Sequence, residues 1–272
     1  MILYDGLETL LTDRDMTKTR LRELCGMSSR TMAKLAKNEY VSLETIESIC
    51  RVLSCQPGDI LRLSEEEKPR TFLEALLSER ENSEEVSAYR ETQILFAYNS
   101  NRLEGSSLTE EQTRGIYNKD TLKNKAEKTT RVSDILLAVN HFKCFDYILD
   151  VAEEQPEEHV IRALYRIMAD DPDGEKPIIK HKELSRLLKS YRAVRQASLE
   201  DLAAFHSDFV TLAPLRDFNG QIARLILYKE CLRYNIKPFI IDAGKKEYYE
   251  RGIREFHHDS ECLVDLFRGW QE

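Results

Sequence analysis

The residues best suited to chemistry lie within residues 211–234, where two apolar helical segments flank a short polar turn. A turn containing Asn219 and Gly220 can point successive backbone N–H groups into one space, to which the next helix presents the positive end of its dipole. Asp217 is placed to hold a divalent cation on a bound phosphate. Arg224, about one turn into the helix, carries a planar fork that suits a terminal phosphate. The segment therefore predicts a phosphate-binding loop.

The same segment resembles the signature of the Fic family, His-Pro-Phe-x-Asp/Glu-Gly-Asn-Gly-Arg-x-x-Arg. The positions that match the signature are Pro214, Asp217, Asn219, Gly220 and Arg224. The family's base histidine is replaced by Ala213, its Phe by Leu215, its first Gly by Phe218 and its first Arg by Gln221. In the family, the histidine takes a proton from a target hydroxyl, which then attacks a nucleotide phosphate held by the turn and by Mg²⁺.

The resemblance implies a set of site residues. The expected nucleotide-binding residues are Asn219, Gly220, Gln221 and Arg224. Asp217 is the expected metal ligand, and ATP and Mg²⁺ are the expected cofactors. Ala213 occupies the catalytic position but cannot accept a proton, and a positioned base contributes about 10²- to 10⁴-fold to a rate. We interpret His206, His257 and His258 as packed or solvated side chains, so the site is predicted to be catalytically degenerate.

A second segment supports this resemblance. Residues 100–105 read Ser-Asn-Arg-Leu-Glu-Gly and fit the family's inhibitory pattern, Ser/Thr-x-x-x-Glu-Gly/Asn. In the family, this glutamate pairs with the last arginine of the signature and blocks the γ-phosphate of ATP. The resemblance therefore implies an inhibitory segment with Ser100, Glu104 and Gly105, and a pair between Glu104 and Arg224. A purely structural ion pair is the alternative for these two residues.

Residues 1–66 predict a small helical domain, and residues 21–61 resemble the Cro/C1-type (XRE) helix-turn-helix family, with Gly26 at the turn. Residues 14–37 contain seven basic and two acidic side chains, a local charge of 7 − 2 = +5. The resemblance makes residues 29–37 the recognition helix. The expected DNA-binding residues are Ser29, Arg30, Thr31, Lys34 and Lys37. A solvated face in a protein-binding module is the alternative.

Composition limits the other classes of function. The net charge of −8 excludes a chain that binds nucleic acid over its whole surface. No pair of the six cysteines has CxxC spacing, and reduced thiols in the cytosol explain them. No apolar run of about 18 residues is present to span a membrane. We therefore expect a cytoplasmic protein with no membrane partner.

The sequence predicts an all-α chain with an N-terminal helix-turn-helix domain (1–66), a linker (67–83) and a Fic-like helical bundle with the inhibitory helix (84–272). In the family a hairpin flap lies between Asp170 and Ile179, so at most a short flap hairpin is expected. We predict a DNA-binding transcriptional regulator whose degenerate Fic-like domain binds a nucleotide or a partner. A second copy of the chain, forming a homodimer, and a target protein are two alternatives for the partner. The alternative is an adenylyltransferase inhibited by Glu104, if Ala213 replaces a natural histidine.

Overall fold

The described part of the chain is almost entirely helical and falls into two compact units, Met1–Pro69 and Arg70–Glu272. The structure, a computed structural model, describes residues 2–63, 71–82, 87–119, 130–171 and 177–272. The all-α fold class is confirmed, since the described residues contain only one pair of very short strands. No helix among these residues combines the length and the apolar character needed to cross a bilayer.

The smaller unit consists of five helices between two paired strands. Its elements are β1 (Ile2–Leu3), α1 (Asp5–Asp13), α2 (Lys18–Leu24), α3 (Ser29–Ala36), α4 (Leu43–Leu53), α5 (Pro57–Ile60) and β2 (Arg62–Leu63). The strands are antiparallel, with Ile2 opposite Leu63, so the first and last described residues of the unit lie side by side. The side chains of Thr17, Ser28 and Ser42 cap α2, α3 and α4 by accepting a backbone N–H of the first turn.

Pro57 is the first residue of α5. Proline is well suited to that position because its missing N–H would have no partner there. The helix before it, α4, ends at Leu53, and the next residue, Ser54, has a left-handed backbone with φ of 44°.

The larger unit contains ten α-helices among the described residues. They are α6 (Phe72–Asn82), α7 (Ala88–Leu103), α8 (Glu110–Tyr117), α9 (Val132–Asp150), α10 (Glu158–Ala169), α11 (His181–Arg192), α12 (Leu199–Leu212), α13 (Asn219–Arg233), α14 (Lys246–Glu255) and α15 (Glu261–Gln271). A 3-10 helix, Ala243–Lys245, precedes α14. Within the interval assigned to a linker, α6 places Leu73 and Leu76 in the core of this unit, and residues 67–70 and 83 lie outside the described ones.

The helix α13 is the centre of the larger unit. It packs against α6, α7, α9, α10 and α12, and every residue from Gln221 to Leu232 is buried. A helix surrounded in this way is fixed from all sides, so the loop that precedes it has a rigid support. The loop that the sequence predicts to bind phosphate is therefore attached to a helix that is buried on all sides.

Two charged residues of α13 are fully buried. Lys229 and Glu230 have side-chain exposures of 0% and 1%, and Lys229 Nζ donates to Glu230 Oε1 at 2.8 Å. The same ammonium donates to the carbonyls of Ala152 and Glu154, while Glu230 Oε2 accepts from Tyr191 Oη at 2.9 Å. Arg233 adds a further contact with Glu230 Oε2 at 3.3 Å. Burial lowers the pKa of Lys229, and this network of acceptors keeps the buried charge satisfied.

Among its described residues, the interval expected to hold the flap contributes one β-bridge. Ile178 pairs antiparallel with Leu215, and the N–H of Ile179 donates to the carbonyl of Pro214 at 2.8 Å. The N–H of Arg216 returns a bond to the carbonyl of Pro177 at 3.0 Å. Residues 172–176 lie outside the described ones. The bridge fixes one side of the loop between α12 and α13.

Candidate functional site

The loop between α12 and α13 has a left-handed backbone at both ends. Ala213 ends α12 with φ of 45°, and Phe218 precedes α13 with φ of 61°. Between them, the side chain of Asn219 accepts from the N–H of Leu215 and donates to its carbonyl, both at 2.9 Å. Both groups of this amide are therefore used to close the loop onto the first residue of α13.

Gly220 leaves room for a carboxylate at the first turn of α13. A Cβ atom at this position would lie only 2.1 Å from Glu104 Oε1 and 3.0 Å from Arg224 Nη1. Glu104 reaches this place because it directly follows the last residue of α7, Leu103, and the chain turns at Gly105, which has φ of 91°. The Glu104 carboxylate therefore lies at the N-terminus of α13. The helix dipole and the N–H groups of the first turn favour an anion at this place.

Arg224 is the cation of this site. Its Nη2 donates to Glu104 Oε1 at 2.7 Å and to the Ser100 carbonyl at 3.0 Å, and its Nε donates to Ser100 Oγ at 3.0 Å. Its side chain is 3% exposed, whereas that of Glu104 is 40% exposed. The guanidinium is thus fixed inside the protein, and the carboxylate is the partner that can leave. The structure brings together Ser100, Glu104, Gly220 and Arg224.

An open cleft of about 350 Å³ lies beside Glu104, Gly220 and Arg224. We call it the α13 cleft, and its lining residues are Glu104, Val210, Gly220, Arg224, Tyr249, Glu250, Ile253 and Arg254. Half of this lining comes from α14, which sequence reasoning did not include. The residues of α14 match no motif. They lie beside the start of α13 because α14 packs against α12.

The positions that depart from the signature do not line the cleft. Gln221 is buried at the start of α13, and Ala213 is half-buried with no group that accepts a proton. The ring of Phe218 packs edge-to-face on Tyr165 with centroids 5.6 Å apart, so it joins the core rather than filling the cleft. Its left-handed backbone is one that glycine adopts without strain.

Asp217 is exposed and accepts from Tyr165 Oη at 3.4 Å. Burial raises the pKa of Tyr165, and the neighbouring Asp217 carboxylate adds to the effect. No group of three potential metal ligands occurs among the described residues. Mg²⁺ often binds one or two carboxylates together with substrate phosphates, so Asp217 fits a cation that is shared with a phosphate.

The histidines do not supply a base to the cleft. His206 is fully buried, and burial lowers its pKa to about 3. His257 is exposed and its Nε2 lies 2.9 Å from Asp208 Oδ1. Neither belongs to the lining of the α13 cleft.

In the smaller unit, α3 presents one polar face. Ser29, Arg30 and Lys37 are exposed, while Thr31 and Lys34 are half-buried and Leu35 packs in the core. Ser29 Oγ accepts from Arg22 Nη1 at 2.9 Å, and the Thr31 hydroxyl is paired with Ser28 Oγ at 2.9 Å. Ala33 shares the exposed face, although sequence reasoning did not select it.

Comparisons with known proteins agree with both units. Residues 7–66 match the model of the Cro/C1-type HTH DNA-binding domain. Over 69 residues the chain is 36% identical to the uncharacterized HTH-type transcriptional regulator YozG of Bacillus subtilis, a match covering 25% of this chain and 82% of that protein.

Two solved structures resemble most of the chain. A Fic domain-containing signalling protein from Bacteroides thetaiotaomicron matches with a TM-score of 0.57 at 18% identity, over 73% of this chain and 92% of that one. A Fic family protein from Desulfovibrio desulfuricans matches with a TM-score of 0.54 at 17% identity, over 73% of this chain and 71% of that one. The resemblance to both families is confirmed: through residues 7–66 the chain belongs to the Cro/C1-type helix-turn-helix family, and it carries the Fic fold in addition.

Proposed function

We propose that this protein is a cytoplasmic DNA-binding regulator whose Fic-like unit binds a nucleotide phosphate without transferring it. The observation that carries the proposal is the position of the Glu104 carboxylate, which lies against Gly220 and pairs with Arg224 at the start of α13. A site that holds one anion there has the groups needed to hold another. Ala213 lacks the proton acceptor on which transfer in the Fic family depends, so we expect binding to be the whole activity.

The phosphates of the ligand would replace the Glu104 carboxylate at Arg224. The rest of the ligand would extend along the α13 cleft toward Arg254, which is exposed on α14 and has no ion pair within the described residues. Asp217 would share a Mg²⁺ ion with these phosphates. The smaller unit supplies DNA binding through the exposed face of α3.

Removing the internal carboxylate should strengthen nucleotide binding. We expect Glu104→Ala to raise the affinity for ATP with Mg²⁺ by roughly 10- to 100-fold, because a hydrogen bond to a charged group contributes about 1.5–3 kcal/mol. Isothermal titration calorimetry measures this change. Glu250→Ala is the matched control, since Glu250 lines the same cleft but contacts Lys246 rather than Arg224. Equal effects of the two substitutions would show that only the general charge of the cleft matters.

A second measurement distinguishes the proposed regulator from an adenylyltransferase. The native chain and Glu104→Ala are incubated with ATP labelled at the α-phosphate, Mg²⁺ and a cell lysate. We expect no label on protein in either case, because no group replaces the missing base. Label transfer to the chain itself or to a lysate protein would overturn the regulator proposal and favour the adenylyltransferase.

DNA binding is tested by its dependence on salt. In gel shifts with DNA from upstream of the gene, we expect Lys37→Gln to lower the slope of log affinity against log salt concentration by about one, as for one lost phosphate contact. Arg51→Gln is the control, because Arg51 is an exposed cation on α4 that pairs with Glu47. Binding that does not weaken with salt would contradict phosphate contacts through α3.

A further inference from the structure

The turn that ends α7 carries Glu104 to the start of α13, and the carbonyls of this turn need partners, because the last carbonyls of a helix have none within it. The chain itself supplies some of them. The N–H of Gly105 donates to the Arg102 carbonyl at 3.1 Å, and the N–H of Ser106 donates to that of Asn101 at 3.0 Å. This pair of bonds around a left-handed glycine closes the helix. It leaves the carbonyl of the last helical residue unused.

Two side chains from other helices take carbonyls at this end of α7. Arg224 Nη2 of α13 donates to the Ser100 carbonyl at 3.0 Å. Lys246 Nζ donates to the carbonyl of Leu103, the last residue of α7, at 2.6 Å. Lys246 is the first residue of α14. Because Leu103 directly precedes Glu104, this ammonium holds the main chain beside the carboxylate.

The start of α14 is itself tied to α7 by a second contact. Asn99 Oδ1 accepts from the N–H of Ala243 at 3.0 Å, and Asn99 Nδ2 donates to the Leu95 carbonyl at 3.0 Å. Ala243 begins the 3-10 helix that leads into α14. Lys246 Nζ also lies 3.6 Å from Glu250 Oε1, but both side chains are about half exposed, and such a pair contributes little. The stronger contact of the ammonium is therefore the one with α7.

We propose that Lys246 is a positioning residue for the Glu104 carboxylate. By holding the Leu103 carbonyl, it keeps Glu104 paired with Arg224 and so controls how readily an anionic ligand replaces the carboxylate. The Glu104 side chain is 40% exposed, so its place depends on the main chain that carries it. Lys246 does not line the α13 cleft and acts on the ligand through Glu104. The inference rests on the proposed function for its ligand.

The first test measures the affinity of the full chain for ATP with Mg²⁺ by isothermal titration calorimetry. Lys246→Met should raise this affinity by roughly tenfold, and by no more than Glu104→Ala does, because a carboxylate that is out of place competes less with the phosphates. Lys246→Arg should stay near the native affinity, since its guanidinium can donate to the same carbonyl. Lys245→Met is the matched control, because it removes the same charge from the exposed preceding residue. Equal effects of Lys246→Met and Lys245→Met would overturn the proposal.

The second test repeats Lys246→Met in the Glu104→Ala background. Residues that act through one another are not additive in such a cycle. Without the carboxylate there is nothing left to position, so we expect no further gain in affinity. A tenfold gain in both backgrounds would show that Lys246 acts on the ligand directly, and the positioning role would be wrong.

The third test needs no ligand. Amide hydrogen exchange reports the bond from the Ser106 N–H to the Asn101 carbonyl, which closes the end of α7. We expect this exchange to be faster in Lys246→Met and unchanged in Lys245→Met. The N–H of Val151, which closes the end of α9, is the internal control and should exchange at the native rate in both.

The results separate this inference from the proposed function. If Glu104→Ala binds ATP more tightly and Lys246→Met gains nothing, the positioning role is wrong and the proposed function stands. If Glu104→Ala binds no ATP, the proposed function is wrong, and the exchange at Ser106 then decides whether Lys246 holds the end of α7. An exchange rate equal to that of the native chain would overturn the inference in that case.

Discussion

Lowering the pH from 7 to 4.5 should reduce the free energy of unfolding of the larger unit by about 5 kcal/mol through two buried histidines. His141 and His206 are fully buried, and burial lowers the pKa of each to about 3. In the unfolded chain, a histidine takes up its proton near pH 6.5. Between these values the unfolded state binds more protons, so the stability falls as the pH falls. Each histidine contributes about half of the loss.

Urea denaturation at a series of pH values measures this effect. His141→Leu should remove about half of the loss, since leucine has no proton to bind. The substitution should also raise stability at pH 7, because neither ring nitrogen of His141 has a hydrogen-bond partner within the described residues. His258→Gln is the control, as His258 is exposed. A pH dependence that is the same in His141→Leu and in the native chain would contradict the assignment.

Lys229→Met should destabilise the larger unit by about 3–5 kcal/mol, as is typical for breaking a buried ion pair on one side. The substitution leaves the carbonyls of Ala152 and Glu154 without their buried donor and removes a compensating charge beside Glu230. For a unit of this size, about 2–4 °C of melting temperature corresponds to each kcal/mol. Differential scanning calorimetry should therefore show a melting temperature lower by roughly 6–20 °C.

The same substitution at the exposed Lys182 of α11 is the control and should change the melting temperature little. A double substitution that also replaces Glu230 by Leu separates the charge from the packing. If the ion pair is responsible, the double variant should be more stable than Lys229→Met alone, because no unpaired charge remains buried. A melting temperature that is unchanged in Lys229→Met would show that the network adds nothing to the fold.

Much of the helical order could be predicted, because it is encoded locally. Apolar residues recur at helical spacing in α9 and α12, and the Ser198 and Thr109 side chains cap the helices that follow them. The loop at Asn219 and Gly220 was also predictable, since both residues are adjacent in sequence to the helix they serve. By contrast, α11 was not anticipated: its charged residues outnumber its apolar ones.

The other side of the α13 cleft could not be predicted, because it depends on long-range packing. Tyr249, Glu250 and Arg254 belong to a helix with many charged residues, and nothing in its sequence relates it to Arg224. Lys229 and Glu230 would likewise be assigned to a solvated face by residue type alone. Their burial follows from the central position of α13, which only the complete fold defines.

The antiparallel pairing of β1 with β2 makes the smaller unit portable. Its first and last described residues lie side by side, so the unit can be grafted as a cassette into a loop of an unrelated host with little change in the path of the host chain. Such a graft would carry the exposed face of α3 with it, because α1, α2, α4 and α5 supply the core that supports α3. Removing the residues before Asp5 would remove β1 and leave β2 without its partner strand. Neither end of the unit would then be held beside the other.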